Sequence, residues 1–414
     1  MTHNPTLQKE AQTMLPQNVL EYGREDNAIR ETAAYAARRA EEIGAENVFN
    51  FSIGNPNVPA PAIVTESLMH IIQTVPPEVL HAYTPAPGMA QVRRAVADDL
   101  NRRFGTDYTA NDLYLTAGAS AALSIACRAT LVAGDEVIIF APYFPEYAVF
   151  AEVCGARSVI LKCREEDFQI DLAAFEQAVT KKTKLVIVNS PSNPSGSIFS
   201  GETIDAMADI LRKKEAEFGH AIYILADEPY RELVYDDDVT VPFIPNHYAD
   251  TIYCYSYSKT LSLPGERMGY LLVPPKAADS RALYAAICGA SRVIGNVNNP
   301  SLFQYLLQEC VGATADLTVY KTNRDLLCAA LSEYGFKMAK PDGAFYLFVK
   351  TPEPDDLAFC ARARQYELML VPGSAFGYPG YVRISYCVDT DTIRRSLPAF
   401  RALAEGYRSA EGTL

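Results

Sequence analysis

Short apolar runs recur along the chain, separated by longer stretches that mix apolar and charged positions. The runs are DLYLTAG (112–118), EVIIFAP (136–142), RSVILKC (157–163), KLVIVNS (184–190), AIYILADEP (221–229), TIYCYSYS (251–258) and GYLLVPP (269–275). They are rich in β-branched and aromatic residues and end on Gly, Pro or a polar residue. Helix-like segments such as ASAALSIACRATL and GETIDAMADILRKKEAEF separate most of them. Strands that are apolar on both faces and alternate with helices predict a mostly parallel, seven-stranded α/β sheet covered on both sides.

The flanks read differently. IRETAAYAARRAEEI, from Ile29 to Ile43, predicts a helix that Gly44 ends. NVFNFSIG predicts a short strand closing on Gly54, and NPNVPAP then supplies a Pro-rich loop. After about residue 300 the strands shorten (GAFYLFVK, LMLVPG, GYVRISYCV) and helical stretches dominate. This pattern predicts a large domain over 55–295, and a smaller α+β domain built from 1–54 and 296–414.

Composition narrows the partners. The 414 residues are 49% hydrophobic, enough for two cores. A net charge of -13 argues against nucleic acid and anionic membrane, and leaves small molecules open. Nine cysteines with no CxxC pair read as reduced thiols of a cytoplasmic protein. Five scattered histidines show no metal-ligand spacing. MTHNPTLQKEAQTMLPQN lacks the apolar segment of a secretory signal. No run reaches the length of a membrane span.

Ligands of open parallel sheets bind at the carboxyl ends of the strands. Five runs there lead into polar or aromatic residues. Gly118-Ala119-Ser120 follows the first and opens a predicted helix, a common anion-binding turn. Tyr143-Phe144 follows the second, Asn189 to Gly196 (NSPSNPSG) the fourth, Asp227-Glu228-Pro229-Tyr230 the fifth, and Ser256-Tyr257-Ser258-Lys259 the sixth. Each alone has a plain structural reading: a tight turn, a core aromatic, a helix cap, a solvated lysine. Together they supply what a phosphorylated heteroaromatic aldehyde needs.

The set resembles the fold-type I pyridoxal-phosphate (PLP) enzymes, and in particular the aspartate aminotransferase-like class I/II aminotransferases. Ser256-Tyr257-Ser258-Lys259 through Pro264-Gly265-Glu266-Arg267-Met268-Gly269 is similar to that family's lysine signature. Tyr83, Gly88 and Arg93 resemble its Y-x4-G-x4-R element, and SPSNPSG, ADEPY, PDGAFY (341–346), PGSAFG (372–377) and Arg383 in VRISY also match. The resemblance runs from about Gly54 to Arg383.

It implies an enzyme of amino acid metabolism moving an amino group between an L-amino acid and a 2-oxo acid. Lys259 would be the Schiff-base lysine and proton shuttle. Asp227 would pair with the pyridine nitrogen, Asn193 and Tyr230 with the ring 3′-oxygen, and Phe144 would stack on the ring. Backbone N–H groups of Ala119 and Ser120, with Ser256 and Arg267, would hold the phosphate. Tyr83 would reach the phosphate of a neighbouring subunit, implying a homodimer with shared active sites. Arg383 would clamp the substrate carboxylate, assisted by Gly54 and Asn193.

The chain departs from many aspartate-type members in having no Trp, so Phe144 is a smaller plate, and in carrying Ser120 where some place Lys. Arg292 precedes Asn299-Pro300 at a longer spacing than in members that use such an Arg on a dicarboxylate. The expected substrates are therefore broad: aspartate, alanine or aromatic amino acids, with 2-oxoglutarate as acceptor. The same fold also serves carbon–sulfur β-lyases, which stand as the alternative. An α/β-hydrolase reading would use Ser120, Asp227 and His247, but Ala122 occupies its last elbow glycine.

Overall fold

The computed structural model describes residues 15–24 and 28–411; expectations touching 1–14, 25–27 and 412–414 lie outside the described residues. All seven apolar runs form strands of one sheet. These are β1 (Leu113–Thr116), β2 (Glu136–Ala141), β3 (Arg157–Lys162), β4 (Thr183–Asn189), β5 (Tyr223–Asp227), β6 (Thr251–Ser256) and β7 (Gly269–Leu272). Their order is β1-β7-β6-β5-β4-β2-β3, and only β7 runs antiparallel to its neighbours. The strands between the edges are almost wholly buried, which is why their sequences are apolar without alternation. β3 differs: it is an edge strand, half exposed, and Arg157 and Lys162 at its ends blunt that edge.

Helices cover both faces. Among them are α1 (Ala28–Ile43), α2 (Gly118–Thr130), α3 (Glu146–Glu152), α4 (Gly201–Phe218) and the single turn α5 (Tyr257–Thr260). α4 begins with a Ser200 cap on the Thr203 N–H and ends at Gly219, which takes a left-handed φ. One apolar cluster lies under α4 and another under α2, on opposite faces of the sheet.

A second sheet is antiparallel and smaller. It comprises β8 (Tyr346–Lys350), β9 (Val371–Pro372), β10 (Tyr381–Ser385) and the pair Lys337–Met338, in the order β9-β10-β8 with Lys337–Met338 outermost. Its cluster gathers Phe51, Val58 and residues from 315 to 407, and also takes in Tyr230, Leu233 and Tyr235. We propose residues 55–295 as one unit and 1–54 with 296–414 as the other. Ser301–Cys310 lies across that division, because Leu306, Leu307 and Cys310 pack in the first cluster.

NVFNFSIG forms only a two-residue strand, Phe49–Asn50, parallel to Leu368–Met369. The Asn50 side chain accepts from both the N–H and the hydroxyl of Ser52, turning the chain where the strand was expected to continue. Phe51 still reaches across: its N–H bonds Met369 O and its carbonyl accepts from the Ser385 N–H. The chain before Gly54 is thereby tied to β10. Among the described residues no helix is long and apolar enough to cross a membrane.

Candidate active site

Strand register puts the polar residues side by side. Asn189 at the end of β4 pairs with Asp227 on β5, and Asp227 pairs with Cys254 on β6. The Asn189 amide donates to Asp227 O (2.8 Å), and its oxygen accepts from the Asn193 N–H (2.7 Å). One side chain therefore fixes the loop after β4 against the end of β5. Ser256 closes β6 and caps α5, its hydroxyl accepting from the Ser258 N–H. This cap turns Lys259 back over the strand ends.

These residues line a cavity of about 260 Å3. Its walls hold Gly54, Ala119, Ser120, Phe144, Asn193, Asp227, Tyr230, Ser256, Lys259, Arg267 and Arg383. Of the site residues expected from the sequence, only Tyr83 lies elsewhere. It is on the surface, 94% exposed. Arg292 is also exposed, near the end of the helix Ser280–Val293, and does not line the cavity. His247 pairs with Asp205 at 2.7 Å, outside the cavity, so the Ser120–Asp227–His247 set does not assemble.

Lys259 is half-buried, and its amine donates to Gly54 O at 2.8 Å. Burial, reinforced by the positive charges of Arg267 and Arg383 and opposed by the Cys387 thiol, lowers its pKa to about 8. An amine near neutrality is a nucleophile as well as a proton carrier.

Asp227 is buried. Its Oδ2 accepts from Tyr147 Oη at 2.5 Å, whereas Oδ1 has no partner among the described residues. Burial raises its pKa to about 6, against the lowering effect of hydrogen bonds from Tyr147 and Cys254. A buried carboxylate with one oxygen idle and a cavity beside it is an acceptor awaiting a donor.

At the other end stands Arg383, 2% exposed. Its Nη1 donates to Asn193 Oδ1 at 3.0 Å and its Nη2 to Ser52 O, while Nε is unpaired. The guanidinium lies between the rings of Tyr346 (4.7 Å) and Phe376 (4.8 Å). Among the described residues no carboxylate pairs with it, and burial lowers its pKa.

The third wall is built for an anion. The thirteen-residue helix α2 opens at the cavity with Ala119 and Ser120 in its first turn. Gly118 has φ +79°, and a Cβ there would stand 2.7 Å from Arg267 Nη2, so only glycine admits the guanidinium. Arg267 itself has φ +56° and is held by bonds to Pro264 O (3.0 Å) and Ala117 O (3.4 Å).

The residues fit pyridoxal phosphate. The idle Asp227 oxygen suits a protonated ring nitrogen, the near-neutral Lys259 amine an aldehyde, and the α2 terminus with Arg267 a phosphate. Sequence reasoning did not single out Tyr147 and Tyr346. Tyr147 lies in the first turn of α3, three residues beyond Phe144, which precedes the helix, and the two rings meet edge-on at 5.6 Å. Tyr346 lies inside PDGAFY, but nothing local tells which aromatic there faces inward. Ile29, Leu123 and Ser258 also line the cavity.

The family described as aminotransferase class I and II matches residues 46–400. An aspartate aminotransferase from Thermotoga maritima is 30% identical, covering 85% of this chain and 90% of its own length. An aspartate/prephenate aminotransferase from Thermus thermophilus is 29% identical, covering 77% of this chain and 82% of its own. Among solved structures, an amino transferase from Eubacterium rectale superposes with a TM-score of 0.93 at 49% identity, covering 95% of this chain and 99% of that one.

Proposed function

The chain belongs to the class I and II aminotransferases, and from that premise we propose that Lys259 carries the cofactor and moves the proton that decides the reaction. It is a pyridoxal-phosphate-dependent transaminase; the β-lyase alternative is not favoured by these relatives. The observation that carries the residue assignment is the Lys259 amine, held near neutrality beside the unpartnered Asp227 oxygen.

When bound, the cofactor supplies an aldehyde that takes up the amino group and a ring that withdraws electrons from the substrate. The chain's residues do the rest. Asp227 would hold a proton on the ring nitrogen, its free Oδ1 being the available acceptor, because an adjacent carboxylate stabilises the cation. Asn193 and Tyr230 would donate to the ring oxygen, and Phe144 would cover the ring. The N–H groups of Ala119 and Ser120, with Ser256 and Arg267, bind the phosphate. Arg383 binds the substrate carboxylate and fixes the orientation of its Cα. The Gly54 carbonyl positions the Lys259 amine, which takes the Cα proton and returns it on the other side of the transfer.

Lys259, Arg267 and Arg383 are the cavity's cations among the described residues. The first two serve the cofactor, leaving one for the α-carboxylate. Apolar Ile29 and Leu123 also line the cavity, which supports a broad donor range that includes neutral side chains. A homodimer is part of the same reading. Tyr83, Met69, Ile72 and Val79 are exposed apolar or aromatic side chains that a second copy could cover, and a fully active monomer in light scattering would contradict it. Nine free thiols support a cytoplasmic location.

The test is direct. The holoenzyme should lose its visible absorbance on adding a single amino acid and regain it with a 2-oxo acid. Borohydride should fix the cofactor to the peptide bearing Lys259, and Lys259→Ala should cut turnover by several orders of magnitude while the protein still folds. A label on any other lysine would overturn the assignment.

A further inference from the structure

In the wall of the cavity two phenols meet. Tyr230 Oη and Tyr346 Oη are 2.9 Å apart, and both side chains are buried. Each could donate to the other, but their surroundings differ. The Tyr346 hydroxyl is hemmed in by the Gly54 backbone: a Cβ built on Gly54 would stand 2.0 Å from it. Its ring lies under the Arg383 guanidinium, which has donors only. Among the hydrogen bonds of the described residues, Tyr230 is the sole partner of the Tyr346 hydroxyl. Both phenols line the cavity. Tyr230, read as facing the ring oxygen, has an acceptor there for its proton, whereas a Tyr346 that accepted would have no protein acceptor for its own among the described residues.

We propose that Tyr346 is a positioning residue: its phenol donates to Tyr230 Oη and thereby commits the Tyr230 proton to the ring oxygen of the cofactor. This rests on the reading that Tyr230 faces that oxygen. A phenol that accepts one hydrogen bond is a stronger donor in the next, so Tyr346 also strengthens the contact it directs. The same ring forms one wall of the Arg383 sandwich, so a single side chain touches both the carboxylate clamp and the cofactor's phenol. Gly54 is the third member of the arrangement. No other residue would leave room for the Tyr346 hydroxyl, and its carbonyl holds Lys259.

The test uses the holoenzymes of Tyr346→Phe, Tyr230→Phe and the double variant, and reads the pH midpoint of the bound cofactor's visible band without any turnover. Removing a donor from the ring oxygen makes its anionic form less stable, so the midpoint should rise. Tyr346→Phe should raise it by roughly 0.5 to 1 pH unit, the scale of one hydrogen bond. Tyr230→Phe should raise it further, and the double variant should match Tyr230→Phe alone. Shifts that add in the double variant would show that Tyr346 acts independently and would overturn the proposal. So would a Tyr346→Phe midpoint that stays put or falls, including when kcat/KM drops through Arg383. If Tyr230→Phe itself leaves the midpoint unmoved, the placement of Tyr230 on the ring oxygen fails, and that result is distinct from the others.

Discussion

The two ends of the cavity solve the same problem in opposite ways. At one end Asp227 is a buried anion, at the other Arg383 a buried cation, and each has one polar atom without a partner. Asp227 leans on a phenol and a thiol from the same large sheet and its covering helix. Arg383 is cradled by an amide oxygen from the loop after β4, a carbonyl from the N-terminal arm, and two rings from the chain beyond residue 340. Among the described residues neither end has an ion-pair partner, unlike the neighbouring Glu228, which pairs with Arg231. Burying a charge without a counter-ion costs stability. Here the cost makes each end selective for a ligand of opposite sign. The two differ in construction: the anion sits on one rigid element, whereas the cation needs three distant segments in register.

The sharpest way to break the comparison is to remove each charge in turn. Asp227→Ala should weaken cofactor binding by about a thousandfold, since deleting one partner of a buried pair costs about 4 kcal/mol. It should also slow Cα-proton exchange. Arg383→Lys keeps the charge but loses the planar fork, so kcat/KM should fall about a hundredfold, roughly 2.7 kcal/mol. Cofactor affinity in Arg383→Lys should stay within about threefold of the parent, roughly 0.7 kcal/mol. Equilibrium dialysis of the cofactor beside steady-state kinetics separates the two. If Arg383→Lys loosened the cofactor as much as Asp227→Ala, the ends would not be independent.

Construction also explains what was legible in the sequence. The anionic end could be read because Asn189, Asp227 and Ser256 each follow directly on an apolar run, and a parallel sheet aligns such positions without further information. Lys259 came from the same run, whereas Arg267 was marked by the family resemblance. The cationic end was visible only through the same resemblance, which marked Arg383. Its sandwich between Tyr346 and Phe376, and its bond to Ser52 O, depend on long-range packing of β8 and β10 that no local pattern encodes. The truncated strand at Phe49–Asn50 failed for a local reason, because Asn50 bonds Ser52 instead of extending the ladder. The edge position of β3 was equally hidden, since its apolar middle resembles that of the central strands.

The smallest expected effect tests the anionic end by tuning it, through Tyr147→Phe. In the cofactor-free protein Asp227 has a pKa of about 6 against an ordinary 3.8. Between those values the native state holds a proton that the unfolded chain has released. The native state binds more protons there, so the contribution of Asp227 to stability falls as pH rises through the window and is level above about 6. Cofactor binding runs the other way. A protonated ring nitrogen wants the carboxylate ionised, so cofactor affinity should rise with pH through the same window and then flatten. Burial keeps the Tyr147 phenol neutral throughout, its pKa pushed well above the usual 10. Tyr147 therefore acts only as a donor to Asp227 Oδ2. Replacing it by Phe removes a hydrogen bond to the ionised form and leaves the Cys254 thiol alone to oppose burial, so the Asp227 pKa moves further up. Cofactor affinity in Tyr147→Phe should fall about tenfold below neutrality, near the low end for a bond to a charged group. The gap from the parent should narrow as pH rises past the new midpoint. Dissociation constants measured across pH for both proteins check this. Two curves separated by a constant factor at every pH would mean that Tyr147 packs against the site without setting the charge of Asp227.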